Sequence, residues 1–328
     1  IRLAHYPHSD EFYTLCDREG MLVWAEIPLV GKALDTPEFT ENMKTELTEL
    51  IRQNFNHPSI FCWSLCNELS KGDVKGLISE LNSVSHREDP GRLTVLAANV
   101  EKRPENAVPD IMAFNTYPGW YWAEPSEMKS TLERWNRQCG NKGIAVSEYG
   151  AGANVWHHWQ TGKKTPKADG VFHPEEWQAT VHEQTYDAIK RSGFAWGSFV
   201  WNMFDFASAS RNEGDMPGMN DKGLVSYDRK IRKDAFYFYQ SEWSEEPVVH
   251  IASRRDVARR DSLTDVKVYT NCETVRLKVN GKDCGSPERN GSICIWRKVG
   301  LKHGENQVEA FGHRGGQEFS DRCKWVLF

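Results

Sequence analysis

Apolar and polar positions fall into two textures along this chain. From residue 1 to about 245, short apolar, β-rich runs are separated by stretches whose apolar positions recur at helical spacing. Strands are expected near 1–5, 21–28, 60–67, 93–98, 111–116, 144–149 and 195–202, and helices near 37–54, 73–88, 126–139, 174–192 and 231–241. Thr36 is placed to cap the first of these helices, with Pro37 at its first helical position. Strands alternating with helices argue for a parallel sheet of βα units, and a long series of them argues for a barrel. Seven strands are one fewer than the eight of a closed barrel.

After Ser244-Glu245-Glu246-Pro247 the period changes to two. Residues 248–251, 265–270 and 275–279 alternate apolar and polar, and further strands are expected at 293–299, 306–312 and 322–328. Asn280-Gly281 is a type I′ hairpin signal. Short strands at this spacing predict a small β-sandwich of immunoglobulin type. The expected organisation is therefore an α/β barrel domain over 1–245 and a sandwich domain over 246–328. Arg254, Arg255, Arg259 and Arg260 read as a solvated basic face, and Asn290-Gly291-Ser292 as a turn.

Composition narrows the partners. The 328 residues carry a net charge of -5, which provides no electrostatic reason to expect nucleic acid or an anionic membrane. No run of eighteen apolar residues is present. Eight cysteines, with Cys62 and Cys66 inside an apolar run, read as buried free thiols rather than a disulfide framework. Neither a Cys-x-x-Cys nor a His-x-x-x-His spacing occurs, so no structural metal is indicated. Thirteen tryptophans and ten tyrosines are many. Most should fill a core, but aromatic planes also suit the apolar faces of sugar rings.

The chemistry concentrates in two glutamates. Glu68 closes the run Ile60-Phe61-Cys62-Trp63-Ser64-Leu65-Cys66-Asn67, and Glu148 interrupts Ile144-Ala145-Val146-Ser147 just before Tyr149-Gly150. Each carboxylate thus sits at a strand end, which on a parallel barrel is the rim where active sites are built. One strand-end glutamate alone is most often a structural ion-pair partner. Two facing each other are the minimum machinery for cleaving a glycosidic bond, one as acid and one as carboxylate, with a separation of roughly 5–5.5 Å in retaining enzymes.

These contexts resemble glycoside hydrolase family 2, which holds β-galactosidases, β-glucuronidases and β-mannosidases. The resemblance is carried by Asn67-Glu68 after His57-Pro58-Ser59-Ile60, and by Ser147-Glu148-Tyr149-Gly150. Arg2-Leu3-Ala4-His5-Tyr6-Pro7, Phe199-Val200-Trp201-Asn202 and Asn220-Asp221-Lys222-Gly223-Leu224 follow in the same order. It implies Glu68 as acid/base and Glu148 as nucleophile of a retaining double displacement. It further implies Asn67 on the sugar 2-hydroxyl, Tyr117 on the nucleophile, Trp201 as a floor for the sugar and His5 in the pocket, with Asn115 and Tyr121 as further candidates. Arg2 and Asp17 read as structural. His157 and His158, in a long loop over 151–171, read as rim or solvent residues. The resemblance also aligns residues 2–7 with the second barrel strand. The first strand, its helix and the β-rich N-terminal domains usual in the family are then expected to be absent from this chain.

Asn220 and Lys222 have the Asn-x-Lys spacing that glucuronidases of this family use against a substrate carboxylate, but similar segments occur in its β-galactosidases. Pro118 interrupts the Tyr117-to-Tyr121 aromatic segment where glucuronidases continue with tyrosine. The acid/base context also lacks the doubled asparagine of the mannosidases. The expectation is a retaining exo-β-galactosidase, with β-glucuronidase or an inactive carbohydrate-binding fragment as the alternatives. No cofactor is expected. A magnesium or sodium ion is allowed by the resemblance without identifiable ligands. The partner is a β-linked glycoside or oligosaccharide, self-association is left open, and a bacterial cytoplasmic or periplasmic setting fits.

Overall fold

A computed structural model of the chain describes residues 1–70, 74–99, 103–141, 143–159 and 165–328. The expected helix 73–88 starts one residue outside that range, and residues 160–164 of the long loop also lie outside it. Among the described residues no helix is long and apolar enough to cross a membrane.

Seven strands form one parallel sheet in sequence order: β1 (Arg2–Leu3), β2 (Val23–Glu26), β3 (Ile60–Asn67), β4 (Leu93–Ala98), β5 (Ile111–Asn115), β6 (Ile144–Tyr149) and β7 (Ala195–Val200). Among the described residues this is the barrel order with one strand fewer than a closed barrel has. Helices α1 (Asp10–Glu19), α2 (Pro37–Asn54), α3 (Val74–Glu88), α4 (Met128–Gln138) and α5 (Glu175–Lys190) alternate with the strands, and α6 (Asp234–Trp243) follows. Thr36 Oγ1 accepts from Phe39 N at 3.2 Å, so the predicted cap of α2 forms. Met43, Leu47, Leu50 and Ile51 of that helix are buried at one-face spacing. Helix α1 is not among the helices the sequence predicts. Only Tyr13 and Cys16 of its ten residues are buried, and it is recognisable mainly by its stop at Gly20 (φ +67°).

The sheet interior is asymmetric. Trp24 packs with Cys62, Val95, Ala97, Ala113 and Ala145, with its ring 5.3 Å from Phe199 and 6.4 Å from Trp196. Alanines on the facing strands leave the volume that one indole needs, as close packing demands. All eight cysteines are free.

Two short strands, β8 (Phe206–Ala207) and β9 (Met219–Asn220), pair with each other. The remaining strands build a two-sheet sandwich. One sheet orders β10 (Val249–Ile251), β12 (Leu263–Thr270), β16 (Ile293–Gly300) and β15 (Glu288–Asn290). The other orders β11 (Ala258–Arg259), β18 (Gln317–Leu327), β17 (Gly304–Arg314), β13 (Thr274–Val279) and β14 (Lys282–Asp283). Val266, Val268, Leu277, Trp296, Val308 and Trp325 fill the space between them. Asn280 and Gly281 both have positive φ, +52° and +78°, as a type I′ turn requires.

The arginine run departs from the expected solvated face. Arg259 is buried with its guanidinium 3.8 Å from the centre of the Trp325 ring. Arg255 pairs with the buried Glu175, and Arg254 with Asp321. Three of the four arginines are consumed by internal contacts that their sequence clustering does not reveal.

The chain packs as two compact units that interleave along the sequence. The first comprises residues 1–118, 126–149 and 185–200, and the second residues 119–125, 150–184 and 201–328. The linear division at 245 separates element types. The compact units group the segments 119–125, 150–184 and 201–245 with the sandwich residues.

Candidate active site

Strands β1 to β6 of the first unit deliver their ends to one polar cluster. Asn67 pairs in register with Ala97 and Asn115 with Glu148. Glu68 leaves β3 at φ +53°, a left-handed conformation that costs a non-glycine residue roughly 1–2 kcal/mol. Such outliers persist where the surroundings over-determine them. Glu68 N donates to Ala97 O at 2.9 Å, and Asn115 Nδ2 donates to Glu68 Oε1 at 2.7 Å.

Glu148 has a different environment. Tyr117 donates its hydroxyl to Oε2 at 2.6 Å, and Arg2 Nη1 donates to Oε1 at 2.8 Å. Both oxygens therefore accept a strong hydrogen bond, one of them charge-assisted. His5 Nε2 lies 3.8 Å from the same Oε1. Asn67 Oδ1 accepts from Arg2 Nη2 at 2.8 Å and from Asn115 Nδ2 at 3.0 Å. Asn115 Oδ1 in turn accepts from Ser147 Oγ at 2.7 Å. A continuous network thus runs from Glu68 through Asn115, Asn67 and Arg2 to Glu148.

Beneath it lies Glu26, the last residue of β2 and 1% exposed. It accepts from Arg2 Nε at 3.1 Å, Arg2 Nη2 at 3.2 Å and Trp24 Nε1 at 2.9 Å, and His5 Nδ1 stands 2.7 Å away. Burial by itself would push the Glu26 carboxyl up, but the Arg2 charge and the bonds from His5 and Arg2 outweigh it and hold it below the usual range. Glu68 moves the other way. Burial, helped by the nearby Glu148 charge and opposed by the Asn115 hydrogen bond, raises its carboxyl above the ordinary value.

Two residues here go beyond the sequence reading. Arg2, expected to be structural, holds Glu148 directly. Glu26 is not among the sequence-based candidates, although Val23-Trp24-Ala25-Glu26 carries the same signal as the other two: an apolar run ending in glutamate. Asp17 does play the structural part expected of it, accepting from Ser59 N at 2.9 Å with His57 Nδ1 at 2.6 Å. His5, Asn67, Asn115 and Tyr117 are all brought into the cluster.

The other expected site residues belong to the second unit. Trp201 follows β7 and meets Phe206 edge-on at 6.0 Å. A turn at Gly119 (φ +84°), where a Cβ would lie 2.4 Å from Pro125 Cγ, leads into Trp120 and Tyr121. Lys222 Nζ sits 5.5 Å from the Tyr121 ring centre and donates to Asn220 Oδ1 at 3.3 Å. Lys222 is 1% exposed and has no carboxylate partner among the described residues. His157 and His158 are half-buried rather than solvent-facing: His157 Nδ1 accepts from His173 N at 3.2 Å, and His158 Nδ1 stands 3.0 Å from Glu176. Among the described residues no three His, Cys, Asp or Glu side chains gather as a metal site.

Comparison with known proteins meets this geometry. Residues 1–245 match the model for the TIM barrel domain of glycosyl hydrolases family 2, and residues 261–320 match a domain of unknown function. A β-glucuronidase of Bacteroides fragilis is 43% identical over 319 residues, covering 94% of this chain and 46% of the relative. Among solved structures, a putative β-galactosidase from Bacteroides fragilis superposes with a TM-score of 0.93 at 34% identity, over all of this chain and 49% of that one. An FMN-binding β-glucuronidase from Facaelibacterium prausnitzii L2-6 does so with a TM-score of 0.93 at 36% identity, over all of this chain and 50% of that one. The chain therefore spans about half the length of these relatives. With a family model matched across residues 1–245 and the strand-end carboxylates of that barrel joined in one network, the chain belongs to glycosyl hydrolase family 2.

Proposed function

We propose that this chain carries the catalytic half of a retaining β-glucuronidase, with Glu148 as nucleophile and Glu68 as acid/base. The expectation of a β-galactosidase gives way to its alternative. The observation that carries this reading is Lys222, an ammonium buried to 1% exposure whose hydrogen-bond partner is the neutral Asn220. Burying a charge without a close ion-pair partner is costly, and among the described residues Lys222 has none within salt-bridge distance, so such a site favours a ligand that supplies an anion. A uronic acid carboxylate does so, and a neutral galactosyl 6-hydroxyl does not. The 43% identical relative is itself a β-glucuronidase, which supports the same choice. Pro118 loses its weight as a counter-argument. The Gly119 turn next to it still places the Tyr121 ring against Lys222.

The chemistry then runs on two carboxyl groups and water. Glu148 attacks the anomeric carbon as a carboxylate, since Arg2 and Tyr117 occupy its two oxygens with donors. Glu68 enters protonated, favoured by burial and by the Glu148 charge, and gives its proton to the leaving oxygen. Forming the glycosyl-enzyme neutralises Glu148, which removes one of the causes of the raised Glu68 value. Glu68 can then act as base toward the incoming water. In this reading Asn67 bonds the sugar 2-hydroxyl.

The test is kcat/KM for nitrophenyl β-glucuronide and β-galactoside on the whole protein. Glucuronide should be strongly preferred. Lys222→Ala should lower kcat/KM for the glucuronide by about 10- to 150-fold, the loss of one charge-assisted contact, and barely change the galactoside. A wild-type preference for the galactoside would overturn the reading.

A further inference from the structure

Asp221 and Lys222 are adjacent, oppositely charged and both buried, yet the fold gives them different partners. Asp221 Oδ2 lies 2.6 Å from His173 Nδ1, with both side chains completely out of solvent. Lys222 Nζ turns to the neutral Asn220 and the Tyr121 ring. The slot around the histidine–aspartate pair is tight. A Cβ on Gly152 would lie 2.4 Å from Asp221 Oδ1, and one on Gly214 would lie 2.4 Å from Asp221 Oδ2 and 2.8 Å from His173 Nδ1. His173 is held in turn by Trp120, edge-to-face at 4.6 Å, and its Nε2 faces Lys167 O at 3.1 Å.

The backbone of the turn is pinned as well. Asp221 O accepts from Lys233 Nζ at 2.8 Å and from Ala153 N at 3.0 Å. Gly223 N donates to Asp205 Oδ1 at 2.9 Å, and Lys222 O accepts from Asn202 N at 3.1 Å. With the main chain fixed, the remaining freedom is which partner each charged side chain takes. A buried carboxylate without a partner beside a buried ammonium would be driven to pair with it. Each incoming substrate would then have to break that pair.

We propose that His173 is a positioning residue for uronide recognition: by taking the Asp221 carboxylate, it keeps the neighbouring Lys222 ammonium available to a substrate carboxylate. The inference rests on the glucuronidase reading above. His173 acts through Asp221 and Lys222, so its removal should affect binding of uronides rather than bond cleavage.

The experiment measures kcat and KM for nitrophenyl β-glucuronide and a neutral nitrophenyl β-glycoside on the whole protein. The variants are His173→Gln, Lys222→Ala, their combination, and Asp221→Asn alone and with His173→Gln. His173→Gln should raise KM for the glucuronide about tenfold, leave kcat within about twofold, and leave the neutral glycoside unaffected. The combination should be no worse than Lys222→Ala alone, because both changes act through one contact. Asp221→Asn removes the competing charge, so adding it to His173→Gln should restore most of the lost affinity. A merely structural histidine would show no such rescue. If wild type prefers the glucuronide and Lys222→Ala abolishes that preference, yet His173→Gln leaves KM unchanged or adds fully to Lys222→Ala, the inference is wrong and the glucuronidase reading stands. If wild type prefers a neutral glycoside, both fall. Should His173→Gln not fold, Asp221→Asn in the wild-type background decides: an unchanged or lower glucuronide KM supports the inference, and a rise of about tenfold overturns it.

Discussion

Arg2 donates from Nη1 to Glu148 Oε1 at 2.8 Å, joining residues 146 positions apart. The same guanidinium spans Glu26 and Asn67. One planar group with five donors thus sets the relative positions of three strand ends, a task that a lysine ammonium cannot perform. Its side chain is 3% exposed, so its charge is a buried charge with buried partners.

Arg2→Ala should therefore cost stability and activity together. It leaves the carboxylates of Glu26 and Glu148 uncompensated, a loss of about 3–5 kcal/mol in denaturant unfolding. The glycosylation rate should fall by about a hundredfold or more as Glu148 loses its orientation. Arg2→Lys keeps the charge without the fork and should land between the two. Wild-type stability in Arg2→Ala would refute this account of the network.

Tyr117→Phe removes the hydroxyl that bonds Glu148. Removing the 2.6 Å bond to Glu148 Oε2 deletes a hydrogen bond to a charged group, about 1.5–3 kcal/mol, or roughly 10- to 150-fold in the rate of glycosylation. Because the bond is already formed in the free protein, global unfolding should become easier by up to a comparable amount. Single-turnover kinetics with an activated glucuronide reads this directly, and an unchanged glycosylation rate would rule the contact out.

The pH profile should report Glu68. Its carboxyl is raised by burial, then by the Glu148 charge, while Asn115 lowers it. The acid form therefore persists above the ordinary carboxylate range, and the alkaline limb of kcat/KM follows its loss. Asn115→Ala removes the bond that favours the charged form, so that limb should move to higher pH. Glu148→Gln should lower the Glu68 value, readable by carboxyl titration. The stability sign is also determined. A carboxyl raised in the folded state binds more protons there than in the unfolded chain. Its contribution is thus fully present below the unfolded value and lost as pH rises through the folded one. Glu68→Gln should accordingly stabilise the protein at neutral pH relative to wild type. An alkaline limb unmoved in Asn115→Ala would count against Glu68 as its source.

Azide separates the two glutamates. Glu148→Ala should be rescued to a glycosyl azide of inverted configuration, since azide replaces the missing nucleophile. Glu68→Ala should be rescued to a retained product, because azide then attacks the glycosyl-enzyme. The opposite stereochemistry in either variant, read by proton NMR, would exchange the roles.

What the sequence determined alone is what depends on local period. The seven strands of the parallel sheet, five of the six α-helices among the described residues, the capped start at Thr36 and the Asn280-Gly281 hairpin are written in spacing and turn residues, because each answers to neighbours a few positions away. Glu68 and Glu148 were legible for the same reason: each marks where an apolar strand stops. The short helix at Asp10–Glu19, with two buried residues, carried too weak a period to be read. Partnership was not legible. Which groups Arg2 holds depends on three carboxylate and amide side chains that lie 24, 65 and 146 positions away. Glu26 carries the strand-end signal, but nothing local distinguishes it from a structural glutamate. Four clustered arginines looked like a solvated face until the fold gave Arg254, Arg255 and Arg259 acidic or aromatic partners. The proposed preference for an acidic over a neutral sugar rests on the burial of Lys222 and on Asp221 being paired with His173, neither of which local spacing reveals. Electrostatic energy depends on distance and on exclusion of water, and tertiary packing alone sets both.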